Sequence, residues 1–376
     1  MPANINSIMF RKHLFLLFFV LMSAFAFSQP KWNSSVVISA EPRWGFVAPH
    51  HDYMAYFLNK NITAFELNVG WQTTGIKSWH SKFNYPVIGF GVYHSGLGND
   101  YIYGNLTGLY SFINRYYFPN SGRFNFGNRL GVGLSYISKH YDLQTNPTDI
   151  AIGSHVNCFI QFEFLFTWNV NKKFNVTGTV GALHASNGNL KEPNKGFNIV
   201  NLGVAATYRF NSFESIRAKA PIYFADTSKQ YFTYGVFGSG KVLSRFTNNI
   251  YPVYGVSAEY LRRINCKSLI GLELSGYYDA SMHDLFKDYD ILEFKNSYYL
   301  LAAANVTYGL QMGKFLITIQ PGIYLRSREQ IHGLISNKIG FRYTFFKNYS
   351  FSVNIKAHWL AQADFIEFGL KRTIRF

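Results

Sequence analysis

From Lys31 to the C-terminus, apolar and polar residues alternate with period two in segment after segment, and no 3.6-residue period competes with it. In Phe174–Ser186 the even positions Phe174, Val176, Gly178, Val180 and Ala182 are mainly apolar. The odd positions Asn175, Thr177, Thr179, Gly181, Leu183 and Ala185 are mainly polar or small. The segment before it sharpens the contrast. Val156, Cys158, Ile160, Phe162, Phe164, Phe166 and Trp168 stand against Asn157, Gln161, Glu163 and Thr167. A strand with an apolar row ending in Trp is suited to lipid outside and a polar lumen inside. Past the N-terminus no stretch approaches the roughly 20 apolar residues of a membrane helix, so a membrane form of this chain must be a closed barrel.

Punctuation sets the count. The alternation predicts strands over 33–46, 62–75, 85–95, 102–118, 123–138, 154–170, 174–186 and 197–210. A second set follows over 229–241, 250–264, 267–279, 295–311, 314–326, 334–346, 349–360 and 364–376. The turns 119–122, 171–173, 265–266, 312–313 and 347–348 are short; the segments 47–61, 139–153, 187–196 and 280–294 are long. Short turns on one rim and long loops on the other describe an all-β, antiparallel up-and-down outer-membrane barrel of about sixteen strands. Similar endings, Thr207-Tyr-Arg-Phe210 and Thr373-Ile-Arg-Phe376, suggest two related halves joined by 211–228. One ring is slightly preferred to two of eight, because neither half carries an evidently unstructured linker.

The N-terminus reads as an export signal over 1–28. Arg11, Lys12 and His13 precede the apolar run Leu14–Phe27, and Ala26-Phe27-Ser28 offers a small-x-small cleavage site. That leaves 29–210 and 229–376 as the two halves. A net charge of +16 calls for an anionic partner; an exported chain without a nucleic-acid motif meets it more simply in phosphorylated lipid head groups. Cys158 and Cys266 make no disulfide framework and no zinc spacing.

One segment carries chemistry. His184 and Ser186 are two apart on a strand and share the outward face. The loop Asn187–Gly196 is turn-rich, and Asn198 falls on the apolar face of the next strand with Val200, Leu202 and Val204. In a hairpin symmetric about Lys191, His184 and Asn198 are directly opposed, with Cβ atoms ~5 Å apart. Polar residues on a lipid-facing surface are costly unless they sit near the interface and serve a function. Ser, His and an amide supply a nucleophile, a base and an orienting partner. The bland alternative is a water-satisfied pair at headgroup level.

The stretch His184-x-Ser186-Asn187-x-x-Leu190-Lys-x-Pro193-Asn194-x-Gly196 resembles the active-site segment of the PagL-type lipid A 3-O-deacylases. The resemblance covers about 33–210 and leaves the second half outside. It implies an outer-membrane ester hydrolase acting on lipid A without a metal or other cofactor. In it Ser186 is the nucleophile, His184 the general base, and Asn194 with Asn187 the oxyanion donors. The family's third member is a Glu where this chain has Asn198. An Asn can orient a His tautomer but offers no full charge to an imidazolium. Glu192, in the loop, is a weaker source of that acid.

Two other functions stay open: a non-catalytic porin-like or structural barrel with a degenerate site, and a broader phospholipase. His50-His51-Asp52 is a weak metal candidate; Arg123, Arg129 and Glu163 fall on lumen parity; His358 reads as a lumen histidine.

Overall fold

The computed structural model describes residues 36–49, 51–75, 77–118, 122–211, 228–244, 246, 249–288, 293–327, 333–358 and 362–376. The export signal, most of the 211–228 connection and His50 lie outside them. Among the described residues seventeen antiparallel strands form two closed sheets, and the contacts divide the chain into two compact units.

The first unit holds β1 (Val36–Val47), β2 (Ile62–Gln72), β3 (Val87–Gly96), β4 (Asn105–Tyr116), β5 (Phe124–Ile137), β6 (Val156–Asn169), β7 (Phe174–Ser186) and β8 (Phe197–Arg209). The ring closes where β1 pairs with β8, from Val37 opposite Arg209 to Val47 opposite Ile199. This is the point at which the expectation of one large ring fails. With β1 occupying its outer edge, β8 has no free ladder to offer a ninth strand.

Parity is as the alternation requires. Phe162, Phe164, Phe166 and Trp168 are exposed, whereas Asn157, Gln161, Glu163 and Thr167 are buried in the lumen. The lumen is a packed core. The Arg43 guanidinium touches three carboxylates: Glu41 at 3.0 Å, Glu66 at 2.9 Å, and Glu163, which it grips with both ends of its fork. Arg129 binds Glu66 and lies 3.5 Å from Glu163. Sharing each carboxylate between guanidinium groups is what makes this buried charge tolerable. Arg123, placed on the lumen side by its parity, is instead exposed beyond the start of β5. Below the knot a water-sized cavity of about 30 Å³ is lined by Asn114, Asn175 and Arg209 among others. At the opposite rim Tyr93, Tyr103, Phe159, Leu183 and Phe197 pack with Ala151 and Ile152 from the long β5–β6 loop.

One connection on the short-turn side departs from expectation. Between β2 and β3 a 14-residue link, 73–86, carries the short helix α2 (Ser78–Lys82), the first, α1 (Asp52–Phe57), lying between β1 and β2.

The second unit holds β9 (Gln230–Lys241), β10 (Tyr251–Arg263), β11 (Ser268–Asp279), β12 (Leu300–Met312), β13 (Phe315–Gln320), β14 (Gly322–Arg326), β15 (Ser336–Phe346), β16 (Tyr349–His358) and β17 (Gln362–Arg375). Its ring closes through β11 and β12. The segment expected as one strand over 314–326 breaks at Pro321, which has no N–H for a ladder. Its lumen is also ion-paired: Lys338 and Lys371 meet Glu273 at 2.8 and 2.7 Å, and Lys241 lies between Asp279 and Asp364 at 2.7 and 2.9 Å. Residues 187–194 group with this unit by their contacts: Val242 N donates to the Asn189 carbonyl at 3.1 Å.

Candidate active site

The site is built on the β7–β8 hairpin. Alternation sends Leu183, Ala185, Phe197 and Ile199 into the core, each at most 1% exposed. His184, Ser186 and Asn198 therefore project from the opposite face. The register sets His184 directly across from Asn198, and on the other side it sets Ile160 across from His184 and Cys158 across from Ser186. Ladder geometry, not loop conformation, fixes the three positions.

His184 Nδ1 donates to the Asn198 amide oxygen at 2.7 Å. An amide oxygen can only accept, so the ring's proton stays on Nδ1 and the Nε2 lone pair is directed at Ser186. The Ser186 hydroxyl donates to Nε2 at 3.0 Å. Both contacts lie within the range needed for nucleophile–base and base–orienter pairs. The three side chains thus form a hydrogen-bonded chain with the geometry of a serine, a base and an orienting carboxamide.

Ser186 is more enclosed than an outward strand position suggests, at 6% exposed. Part of the cover is Gly196, whose φ of +78° admits few other residues. A Cβ added there would lie 3.0 Å from His184 Cε1 and 3.2 Å from Ser186 Cβ, so the glycine backbone packs directly on the pair. The sequence shows this glycine within the motif; its contact with the imidazole is visible only in three dimensions.

The two expected oxyanion residues behave differently. The Asn187 backbone N–H donates to Asn194 Oδ1 at 2.9 Å, and the Asn187 amide bonds the Lys191 carbonyl at 2.7 Å. Asn187 is thus engaged within its own loop, through main chain and side chain. Asn194 uses its oxygen there, which leaves Nδ2 as the donor end of the amide. Glu192 accepts from the Asn194 backbone N–H at 3.1 Å. His51 precedes α1, and the described residues contain no group of three or more metal-ligating side chains. His358 lies 3.9 Å from Asp364 in the second lumen.

Two family models match the chain. Residues 63–207 match lipid A 3-O-deacylase (PagL), and residues 227–375 match the acyloxyacyl hydrolase C-terminal domain (PagL_C). The chain belongs to the PagL family.

The second half, which the motif leaves outside, is therefore a family domain as well. No curated protein matches the sequence. Among solved structures, neisserial surface protein A is 9% identical and covers 47% of this chain and 100% of its own, with a TM-score of 0.31. A Rhodopseudomonas blastica porin mutant is 9% identical over 90% of this chain and 100% of its own, with a TM-score of 0.17. A TodX monoaromatic hydrocarbon channel mutant is 8% identical over 91% and 90%, with a TM-score of 0.19. Likeness at that level says nothing of activity.

Proposed function

We propose that this chain is an outer-membrane serine esterase that removes the 3-O-linked acyl chain of lipid A. The observation that carries the reading is the Asn198–His184–Ser186 relay on the outward face of a barrel strand. A nucleophile set on that face serves a substrate that is itself in the membrane. In this reading residues 1–28 are the export signal, 29–210 the catalytic half and 229–376 a second barrel domain.

The steps follow from the geometry. Ser186 Oγ attacks the ester carbonyl as its proton passes to His184 Nε2. Asn198 holds the imidazole by Nδ1 throughout, and Asn194 Nδ2 is the proposed donor to the developing oxyanion. Collapse breaks the bond to the sugar oxygen, which takes the proton from His184. Water, activated by the same Nε2, then releases the fatty acid from Ser186. An amide-linked chain survives because its nitrogen is a much poorer leaving group.

Mass spectrometry of lipid A from cells expressing the wild type, in a membrane with a 3-O-acylated substrate, tests the reading. The expected result is loss of one ester-linked chain, absent with Ser186→Ala. An unchanged profile for the wild type, with the barrel present, assigns the chain to non-catalytic barrels.

A further inference from the structure

The β5–β6 loop contains two aspartates that build the same turn in opposite environments. Asp142 is exposed, and its Oδ1 accepts from the Gln144 and Thr145 N–H groups at 3.1 and 2.8 Å. Asp149 is 0% exposed, and its Oδ1 accepts from the Ala151 and Ile152 N–H groups at 2.9 and 3.3 Å. Holding such a turn needs no burial, as Asp142 shows, and burying a carboxyl is costly. What distinguishes the Asp149 turn is what its other face touches. The Ala151 carbonyl accepts from the Gly196 N–H at 2.8 Å, and Gly196 packs on His184 and Ser186.

We propose that Asp149 is a positioning residue for the His184–Ser186 pair, acting through Ala151 and Gly196; the proposal rests on the esterase reading above. The carboxylate fixes the direction of the Ala151 carbonyl by holding the next two N–H groups. That carbonyl pins the Gly196 backbone. Gly196 in turn blocks the imidazole from swinging towards the loop, keeping Nε2 at 3.0 Å from Ser186 Oγ. All five residues belong to the first unit. Ala151 and Ile152 are themselves 0% exposed in the barrel mouth, so the turn is a fixed support.

The test uses the full-length protein in detergent micelles with a 3-O-acylated lipid A. Two readouts are taken: steady-state kinetics, and NMR of ¹³Cε1-labelled histidine, with the His184 signal identified by its loss in His184→Gln. Asp149→Leu is expected to lower kcat about 10- to 100-fold with little change in KM, since small misplacements of reacting groups cost about that much. It should also shift the His184 signal. Asp149→Asn, whose amide oxygen can accept the same two N–H groups, should recover most of the loss. Asp142→Leu, which breaks the exposed turn, should alter neither readout. Gly196→Ala loads the same contact from the other side, and should lower kcat and move the same signal even where Asp149→Leu does not fold. Wild-type kcat and an unmoved His184 signal in folded Asp149→Leu or Gly196→Ala overturn the proposal. A shifted signal in a protein whose wild type has no activity overturns the esterase reading and leaves the positioning intact.

Discussion

In the first barrel two guanidinium groups gather three glutamates into one knot; in the second, Lys338, Lys371, Lys241 and Arg342 disperse the charge along the lumen in separate clusters around Glu273, Asp279, Asp364 and Glu259. The chemistry explains the difference. A planar guanidinium can satisfy several carboxylates at once, and an ammonium is a compact point charge. Both arrangements fill a barrel with paired polar groups. The outer faces, by contrast, are not alike. The first presents a hydrogen-bonded Ser, His and Asn outwards, while the second turns His358 towards the buried Asp364. Polar residues inside a barrel are thus a packing solution; polar residues outside it are the ones that ask for a function.

The largest effect expected from that contrast is catalytic. Ser186→Ala and His184→Ala should each reduce fatty-acid release at least about a thousandfold, and the double variant should be barely worse, because the two groups act as a unit. His358→Ala should leave release unchanged. Comparing lipid A profiles of the four proteins, each checked for a folded barrel by circular dichroism, decides the matter. Activity lost with His358 but kept without His184 would reverse the roles of the two barrels.

Stability supplies the next test. Glu273→Gln leaves Lys338 and Lys371 without their shared partner, and Arg43→Met leaves three carboxylates around Arg129. Breaking a buried pair from one side costs roughly 3–5 kcal/mol. Both variants should lower the urea midpoint by comparable amounts, and a much smaller loss in either barrel would show that water reaches its lumen charges.

A milder effect is expected at Asn198. It keeps the right tautomer on His184 but contributes no charge when the imidazole becomes positive. Asn198→Glu should hold or raise the rate, and Asn198→Leu should lower it about 10- to 100-fold, the worth of an orienting hydrogen bond to a charged group. Equal rates across the three variants would remove this residue from the machinery.

Much of this was legible in the alternation. Strand β7 begins and ends where period two says, and the opposition of His184 and Asn198 follows from counting outwards from the hairpin loop. Hairpin register is local, so a local pattern can specify it. Ring closure is not local. Pairing of β1 with β8 joins Val37 to Arg209 across the whole first unit, and nothing in either strand's own pattern announces it. Arg43, Glu41 and Glu66 carry no mark in the sequence for the same reason, since with Arg129 and Glu163 they become a knot only when the four strands β1, β2, β5 and β6 curve together. Asp149 is the hardest of these to read from sequence. Its spacing to Ala151 and Ile152 marks a turn, but its burial depends on the loop entering the barrel mouth.

That burial gives the smallest and most specific effect. Removal from water pushes the Asp149 carboxyl up to about 7, while the N–H groups of Ala151 and Ile152 pull it the other way, and the nearby Tyr103 is buried with it. A raised pKa means that the folded state holds the proton more tightly than the unfolded chain, where a carboxyl titrates near 3.9. Stability from this group is therefore complete below about pH 4 and is lost as pH rises towards 7, with a slope of at most about 1.4 kcal/mol per pH unit. Asp149→Asn carries no proton to lose and should remove that component. The measurement is the urea midpoint of both proteins at pH 5 and pH 8. The wild type should lose more than Asp149→Asn between the two, and the difference should be absent in Asp142→Asn, whose carboxyl is exposed and held below its ordinary value by Thr145 and Gln144. Parallel midpoints for wild type and Asp149→Asn would mean that water reaches the buried carboxylate, and the two turns of the loop would then differ in place but not in physics.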